Sequence, residues 1–206
     1  MEKSKNSFVW VEAGYNLFAE EGLEGLQIER LARIVNLNKS GFYHYFGDLD
    51  VYYEELLKRH QHRATLYFDK VLAVKSIDPD YFDVLIEFKM PTFFQMQLDR
   101  IKDKPSFRQL AEWVDQKEDV AIKQIWCQYL GVEGNSDLAM RYFDIIRGMF
   151  YERISLKNYT FQVLSNLFTE TKAVLSQLSD QKAHEADKAL LGLLSPTHPP
   201  PASKVV

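Results

Sequence analysis

Residues 27–57 read QIERLARIVNLNKSGFYHYFGDLDVYYEELL. The stretch divides into two short helices, a tight turn between them, and the start of a longer helix. Ile28, Leu31, Ala32 and Val35 recur at helical spacing and give the first short helix one apolar face. Asn36-Leu37-Asn38 interrupts that pattern. Asn36 suits the left-handed residue that ends a helix, because its short polar side chain tolerates positive φ. Asn38 is an expected N-cap for a second short helix, Lys39 to Tyr45. Leu37 and Phe42 are expected to point back at the first helix and fix the crossing angle. This is helix-turn-helix anatomy, and its second helix is the one that enters a DNA major groove.

Leu31-Ala32-Arg33, Leu37-Asn38-Lys39-Ser40 and Phe42-Tyr43-His44-Tyr45-Phe46 resemble the signature of the tetracycline-repressor (TetR) family. Upstream, Leu17-Phe18-Ala19-Glu20-Glu21-Gly22 is similar to the L-F-x-x-x-G that closes that family's first helix. The resemblance implies an all-α protein in which an N-terminal three-helix helix-turn-helix domain is joined by a long fourth helix to a C-terminal helical ligand-binding and dimerisation domain. Three positions depart from the pattern. The usual turn Gly is Asn36. The Thr or Ser that opens the first short helix is Gln27. The Lys at the start of the long helix is Leu49, flanked by Asp48 and Asp50. Those carboxylates suit a helix N-terminus but repel phosphate, so weaker backbone anchoring is expected there.

Composition sets outer limits. The 206 residues are 46% hydrophobic and 14% aromatic, enough for a sizeable core. No run of about 18 apolar residues suggests a membrane span, and Glu12 and Asn16 interrupt any signal-peptide core. Cys127 is the only cysteine, which excludes an internal disulfide and fits a reducing cytoplasm. The net charge of −4 means that bulk charge does not draw the protein to DNA.

Along the chain, Trp10, Val11, Gly14, Leu17 and Phe18 form the stripe of a first helix from about Ser7 to Glu21, ended by Gly22. Asp48 caps a long helix expected to reach about Lys75. His60 and His62 lie two apart on it and face different ways, which argues against a metal site. Pro91 predicts a kink or break within an aromatic-rich helix. Short helices are expected over Phe107–Val114 and Val120–Leu130. Two long helices follow, apolar on more than one face, so a second copy is expected to cover one of them. The domain boundaries read as 1–47 for the head, 48–194 for the helical domain and 195–206 for a proline-rich tail.

These patterns give one reading of the sites. DNA contact falls to Gln27, Arg33, Asn38, Lys39, Ser40, Gly41, Tyr43, His44 and Tyr45. Lys39 and Tyr43 hold phosphates, Asn38, Ser40 and His44 reach phosphate or base edges, and Gly41 permits close approach. Phe88, Phe94, Trp113, Trp126, Tyr129 and Tyr142 are the candidate lining of a pocket for a small apolar or aromatic ligand. Tyr142, Ile145, Met149, Phe161, Leu164, Phe168 and Leu175 are the candidate homodimer interface. No hydrolase, zinc, dinucleotide or phosphate-loop motif is present, so no catalytic residue, metal or cofactor is assigned. The expected function is a ligand-responsive transcriptional repressor acting as a homodimer on palindromic double-stranded DNA. The alternatives are a helical dimer whose head binds a protein, and, resting on the aromatic set alone, a helical enzyme.

Overall fold

A computed structural model describes the backbone of residues 2–193 and the side chains of residues 7–177. The proline-rich tail and the Lys3 and Lys5 side chains lie outside that range. The helices are α1 (Glu2–Glu21), α2 (Ile28–Val35), α3 (Lys39–Phe46), α4 (Leu49–Ala73), α5 (Phe82–Glu87), α6 (Lys89–Arg100), α7 (Pro105–Leu130), α8 (Ser136–Arg153) and α9 (Phe161–Leu193). Among the described residues the fold is all-α. None of its helices is long and apolar enough to cross a membrane. The chain divides into two compact units after Ser165.

In the first unit the local stops and starts follow the sequence chemistry. Gly22, at φ +69°, ends α1. Asn36 takes the left-handed conformation, with φ 54° and ψ 43°, and closes α2. Asp48 caps α4 by accepting from the Val51 amide at 3.0 Å. The break expected around Pro91 falls just before it, at Phe88. Pro91 then sits in the first turn of α6, where its missing amide proton leaves no bond unmade.

Three readings change. Leu37 is 38% exposed, so of the two it is Phe42, fully buried, that pins α3 to its neighbours. Asn38 holds the N-cap position of α3 but makes no capping bond with its side chain. The two short helices expected over 107–130 are one continuous helix, α7. The intervening Asp115-Gln116-Lys117-Glu118-Asp119 is polar throughout. It contains no Gly or Pro, and three of its carboxylates face the half-buried Arg147.

The head is built on α1. Trp10 meets Phe42 edge-on at 5.6 Å, and the Tyr52 hydroxyl donates to the Trp10 carbonyl at 2.7 Å. Gly14 is required at that crossing: a Cβ there would lie 1.7 Å from the Tyr52 hydroxyl. The other side of α1 runs along α6. Phe94 of α6 stacks on Tyr15 at 4.4 Å and lies against Phe18 at 4.3 Å. Glu12 receives Arg59 at 2.5 Å and Arg63 at 2.6 Å, which ties α1 to α4 as well. One helix therefore serves the core of the head and the core behind it.

The interior of α4, α6, α7 and α8 is polar as well as aromatic. Arg147 of α8 is engaged by Asp119, by Glu118 at 3.7 Å and by Asp144 at 3.4 Å. Glu118 accepts from Tyr67 at 2.6 Å and from Tyr81 at 3.1 Å. In the second unit, α9 buries Leu167, Phe168, Thr171 and Leu175 and exposes Val174.

Candidate nucleic-acid interface

Helix α3 has two unlike sides. Phe42 and Phe46 are buried, and Phe42 packs on Trp10, Phe46 and Tyr52. Their burial, worth about 1.5–3 kcal/mol for each ring, holds the helix by its inner side. Asn38, Lys39, Ser40, Tyr43 and His44 are all exposed on the outside. Tyr43 is 54% exposed despite its aromatic ring. Hydroxyl, amide, ammonium and imidazole groups thus project together from two turns of helix, an inventory suited to phosphate oxygens and base edges.

The remaining candidates are placed differently. Tyr45 is half-buried and lines a groove of about 520 Å³ together with Phe8, Val11, Val51, Lys58 and Arg59. It lies two residues from Tyr43 and so faces another way. Gln27 is exposed at the start of α2, with its amide 3.4 Å from the Glu24 carbonyl. Arg33 is exposed on α2. Gly41 is half-buried, and a Cβ added there would find no atom closer than 3.9 Å. G41A is therefore expected to raise the melting temperature slightly, by about 1–4 °C, while binding to duplex DNA weakens if the backbone of α3 comes close to the phosphates. Melting curves and titration of labelled duplex check both halves.

Charge in the head is mostly spoken for. Residues 1–50 hold eight acidic and five basic side chains. Lys39 is paired with Glu29 at 2.7 Å, and Glu29 consequently titrates below its usual range. Arg30 is held in a two-pronged pair by Glu21, whose carboxyl is lowered in the same way. Both pairs are solvent-exposed, so a phosphate can displace the carboxylate. E29Q is expected to raise DNA affinity severalfold, with a gain that shrinks as salt screens the removed charge. Binding isotherms at low and moderate salt measure it.

This geometry is a helix-turn-helix with a supported reader helix. Residues 11–50 match the family model of bacterial regulatory proteins, tetR family. The head belongs to the tetR family. The rest of the chain is matched through its fold alone. A transcriptional regulator (TerR/AcrR family) from Aquifex aeolicus VF5 superposes with a TM-score of 0.56 at 15% identity, over 84% of this chain and 98% of that one. No curated protein matches the sequence. The matched head is of the kind found in DNA-binding transcriptional regulators, and the likeness to the Aquifex aeolicus protein shows a shared all-helical fold.

The aromatic residues proposed from sequence for a ligand pocket fall into separate groups. Phe88 meets Tyr67 at 5.6 Å, Tyr67 meets Phe68 at 5.6 Å, and Phe68 meets Trp113 at 5.8 Å, forming one ladder. Trp126 is fully buried, stacks on Tyr129 at 5.5 Å and donates to the Ala139 carbonyl at 2.7 Å. Phe94 belongs to a third group, between α1 and α4. Tyr142 is half-buried on α8. Of the interface candidates, Ile145 is 51% exposed, and Tyr142, Met149 and Phe161 are half-buried. Leu164, Phe168 and Leu175 are buried.

The reading of the sequence missed the polar interior. His60, set aside as a metal ligand, is 1% exposed and bonded on both ring nitrogens, to Tyr15 at 2.9 Å and to Gln95 at 3.2 Å. Burial pulls it down to about 3, so it is neutral. Asp115 is pushed up to about 7, by burial first and then by Asp99. The available signal was a polar residue with an apolar neighbour four residues, one helical turn, away. His60 lies between Leu56 and Ala64, and Asp115 lies four residues after Ala111.

Proposed function

We propose that the chain is a homodimeric, ligand-responsive repressor that binds a palindromic operator in double-stranded DNA. The observation that carries this is the outer row of α3, where Asn38, Lys39, Ser40, Tyr43 and His44 stand exposed on a helix anchored by buried Phe42 and Phe46. Two-fold symmetry sets the half-sites about 34–36 Å apart, one helical turn of DNA. The exposed Ile145, with Tyr142 and Met149 beside it on α8, supports dimerisation. The ladder from Phe88 through Tyr67 and Phe68 to Trp113 supports an apolar or aromatic ligand in the helical domain. Such a ligand shifts DNA binding only by its preference for one conformation, and a nearly complete switch takes about 5.5 kcal/mol of differential affinity.

Selection from random duplex DNA at two salt concentrations tests the reading. A palindromic motif whose affinity falls steeply with salt, at a log–log slope near −0.9 per phosphate contacted, is the expected result. Y43A is expected to weaken binding roughly tenfold or more, since a hydrogen bond to a charged group contributes about 1.5–3 kcal/mol. The dimer should persist, as light scattering would show. The acid excess of residues 1–50 favours a second reading, in which the head docks on a protein. A flat salt response with no enriched motif is its signature.

A further inference from the structure

A single line of buried hydrogen bonds crosses from the head into the core. The Tyr15 hydroxyl of α1 lies 2.9 Å from Nδ1 of His60 on α4. Nε2 of His60 lies 3.2 Å from Oε1 of Gln95 on α6. Nε2 of Gln95 donates to the Ala111 carbonyl at 3.2 Å and to Oδ1 of Asp115 at 3.1 Å, both on α7. The two amide protons of Gln95 are thus committed to α7, which turns its Oε1 to the histidine. His60 must then carry its proton on Nε2 and accept the Tyr15 hydroxyl proton on Nδ1. Every donor in the line points the same way, toward Asp115, and Tyr15, His60 and Gln95 are nine-tenths buried or more.

Asp115 is the charged end. From α6 it faces Gln95 and Asp99, from α8 Arg147 and Tyr151, and along its own helix Glu118. Lys102 and Tyr151 act on Asp99, and Tyr67 of α4 and Tyr81 act on Glu118. Arg147 is the one cation among the described partners of Asp115, against two carboxylates, Asp99 and Glu118. The head end is equally defined. Tyr15 is stacked on Phe94 and covered by the Arg63 guanidinium at 4.2 Å. It shares α1 with Trp10, which seats Phe42 of the reader helix.

We propose that Tyr15, His60 and Gln95 are positioning residues for DNA binding. They form a one-way hydrogen-bond line that makes the seating of α1, and through Trp10 the seating of α3, depend on the charge carried by Asp115. An ionised carboxylate accepts a stronger hydrogen bond than a neutral one, and each bond in such a line polarises the next. Loss of charge on Asp115, by protonation or by an approaching cation, slackens the whole line. The pull on Tyr15 weakens although Tyr15 and Asp115 never touch. The effect on α3 rests on the reading of the head as a DNA-binding element; the line itself does not.

Two measurements on the full chain test this in the wild type, Y15F, D115N and the double variant. The first follows the Asp115 carboxyl carbon by NMR across pH in the wild type and Y15F. Coupling is reciprocal, so removing one distant hydroxyl should change the proton-binding constant of Asp115 on the order of threefold. A purely structural tyrosine would leave that midpoint in place, and an unmoved midpoint overturns the proposal. The second measures affinity for the selected duplex at about pH 5.5 and about pH 8.5, either side of the Asp115 midpoint. The ratio of wild type to D115N should change between the two pH values on the order of fivefold, and that change should vanish when both proteins also carry Y15F. His44 is common to every protein compared and cancels. A ratio that changes equally in the Y15F background overturns the proposal. A moved midpoint in a protein that binds no duplex sustains the line and rejects the DNA reading. DNA binding with an unmoved midpoint does the reverse.

Discussion

R147M is expected to lower the melting temperature by about 10 °C near neutral pH. The reason is the number of carboxylates that Arg147 serves. Its guanidinium is bonded to Asp119 and lies within ion-pair distance of Glu118 and Asp144, with Asp115 also in its field. Methionine fills much of the same volume, so the loss is one of charge rather than of packing. Removing one partner of a buried pair typically costs about 3–5 kcal/mol, because the opposite charge stays behind without compensation. In a chain of this size each kcal/mol moves the midpoint by about 2–4 °C. The cluster is already short of partners: Asp99 Oδ2 and Arg147 Nε are buried without hydrogen bonds. The deficit should shrink in acid, where the stranded carboxylates take up protons. Thermal melts of R147M and the wild type at about pH 5 and about pH 8 measure both effects.

D115N acts on the same cluster with the opposite sign. The carboxyl of Asp115 is raised to about 7 in the folded protein, whereas an unfolded Asp titrates near about 3.9. Between those values the folded state holds a proton that the unfolded state has released. The contribution to stability is complete below about pH 4 and is lost as pH rises through 7. The full difference corresponds to about 4 kcal/mol, and sharing the proton with Asp99 reduces it. Asparagine keeps the acceptor for Gln95 and carries no charge to bury. D115N is therefore expected to raise the melting temperature by about 4–8 °C at about pH 8 and by roughly a third of that at about pH 5, where only the first part of the loss has accrued. Equal gains at both pH values would mean that ionisation of Asp115 is not what destabilises the wild type.

The contrast between these variants shows which features a sequence displays and which it hides. The turn of the head is legible because its constraints are local. Asn36 must accept positive φ, Asp48 must cap a helix, and Gly22 must end one, whatever surrounds them. The reader helix is legible for the same reason, with Phe42 and Phe46 spaced to face inward and Tyr43 and His44 to face out. Leu37 misleads because an apolar residue in a turn suggests burial, and it is 38% exposed. The run from Asp115 to Asp119 misleads in the other direction. Five polar residues in succession suggest a solvated break, and only the approach of α8 with Arg147 makes a continuous helix the better solution. His60 is hidden likewise: its partners lie 45 residues before it and 35 after it. The aromatic residues of the helical domain have spacing that fits a core and a pocket equally well. Their division into separate ladders depends on packing that no local pattern encodes.

Helix α1 carries Trp10 and Tyr52 contacts on one side and Tyr15, Phe18 and Glu12 contacts on the other. The reading head is therefore not a cartridge that can be cut at the turn before α4 and clipped onto a foreign sensor. A transplanted head would bring an outward aromatic ridge with no furrow to receive it, and the donor protein would be left with Phe94 and His60 stripped of their cover. Recombination between relatives of this chain can exchange the specificity of α3 residue by residue. Exchanging the head as a block requires the α6 face to travel with it, so the residues of the head and those of α6 are inherited together.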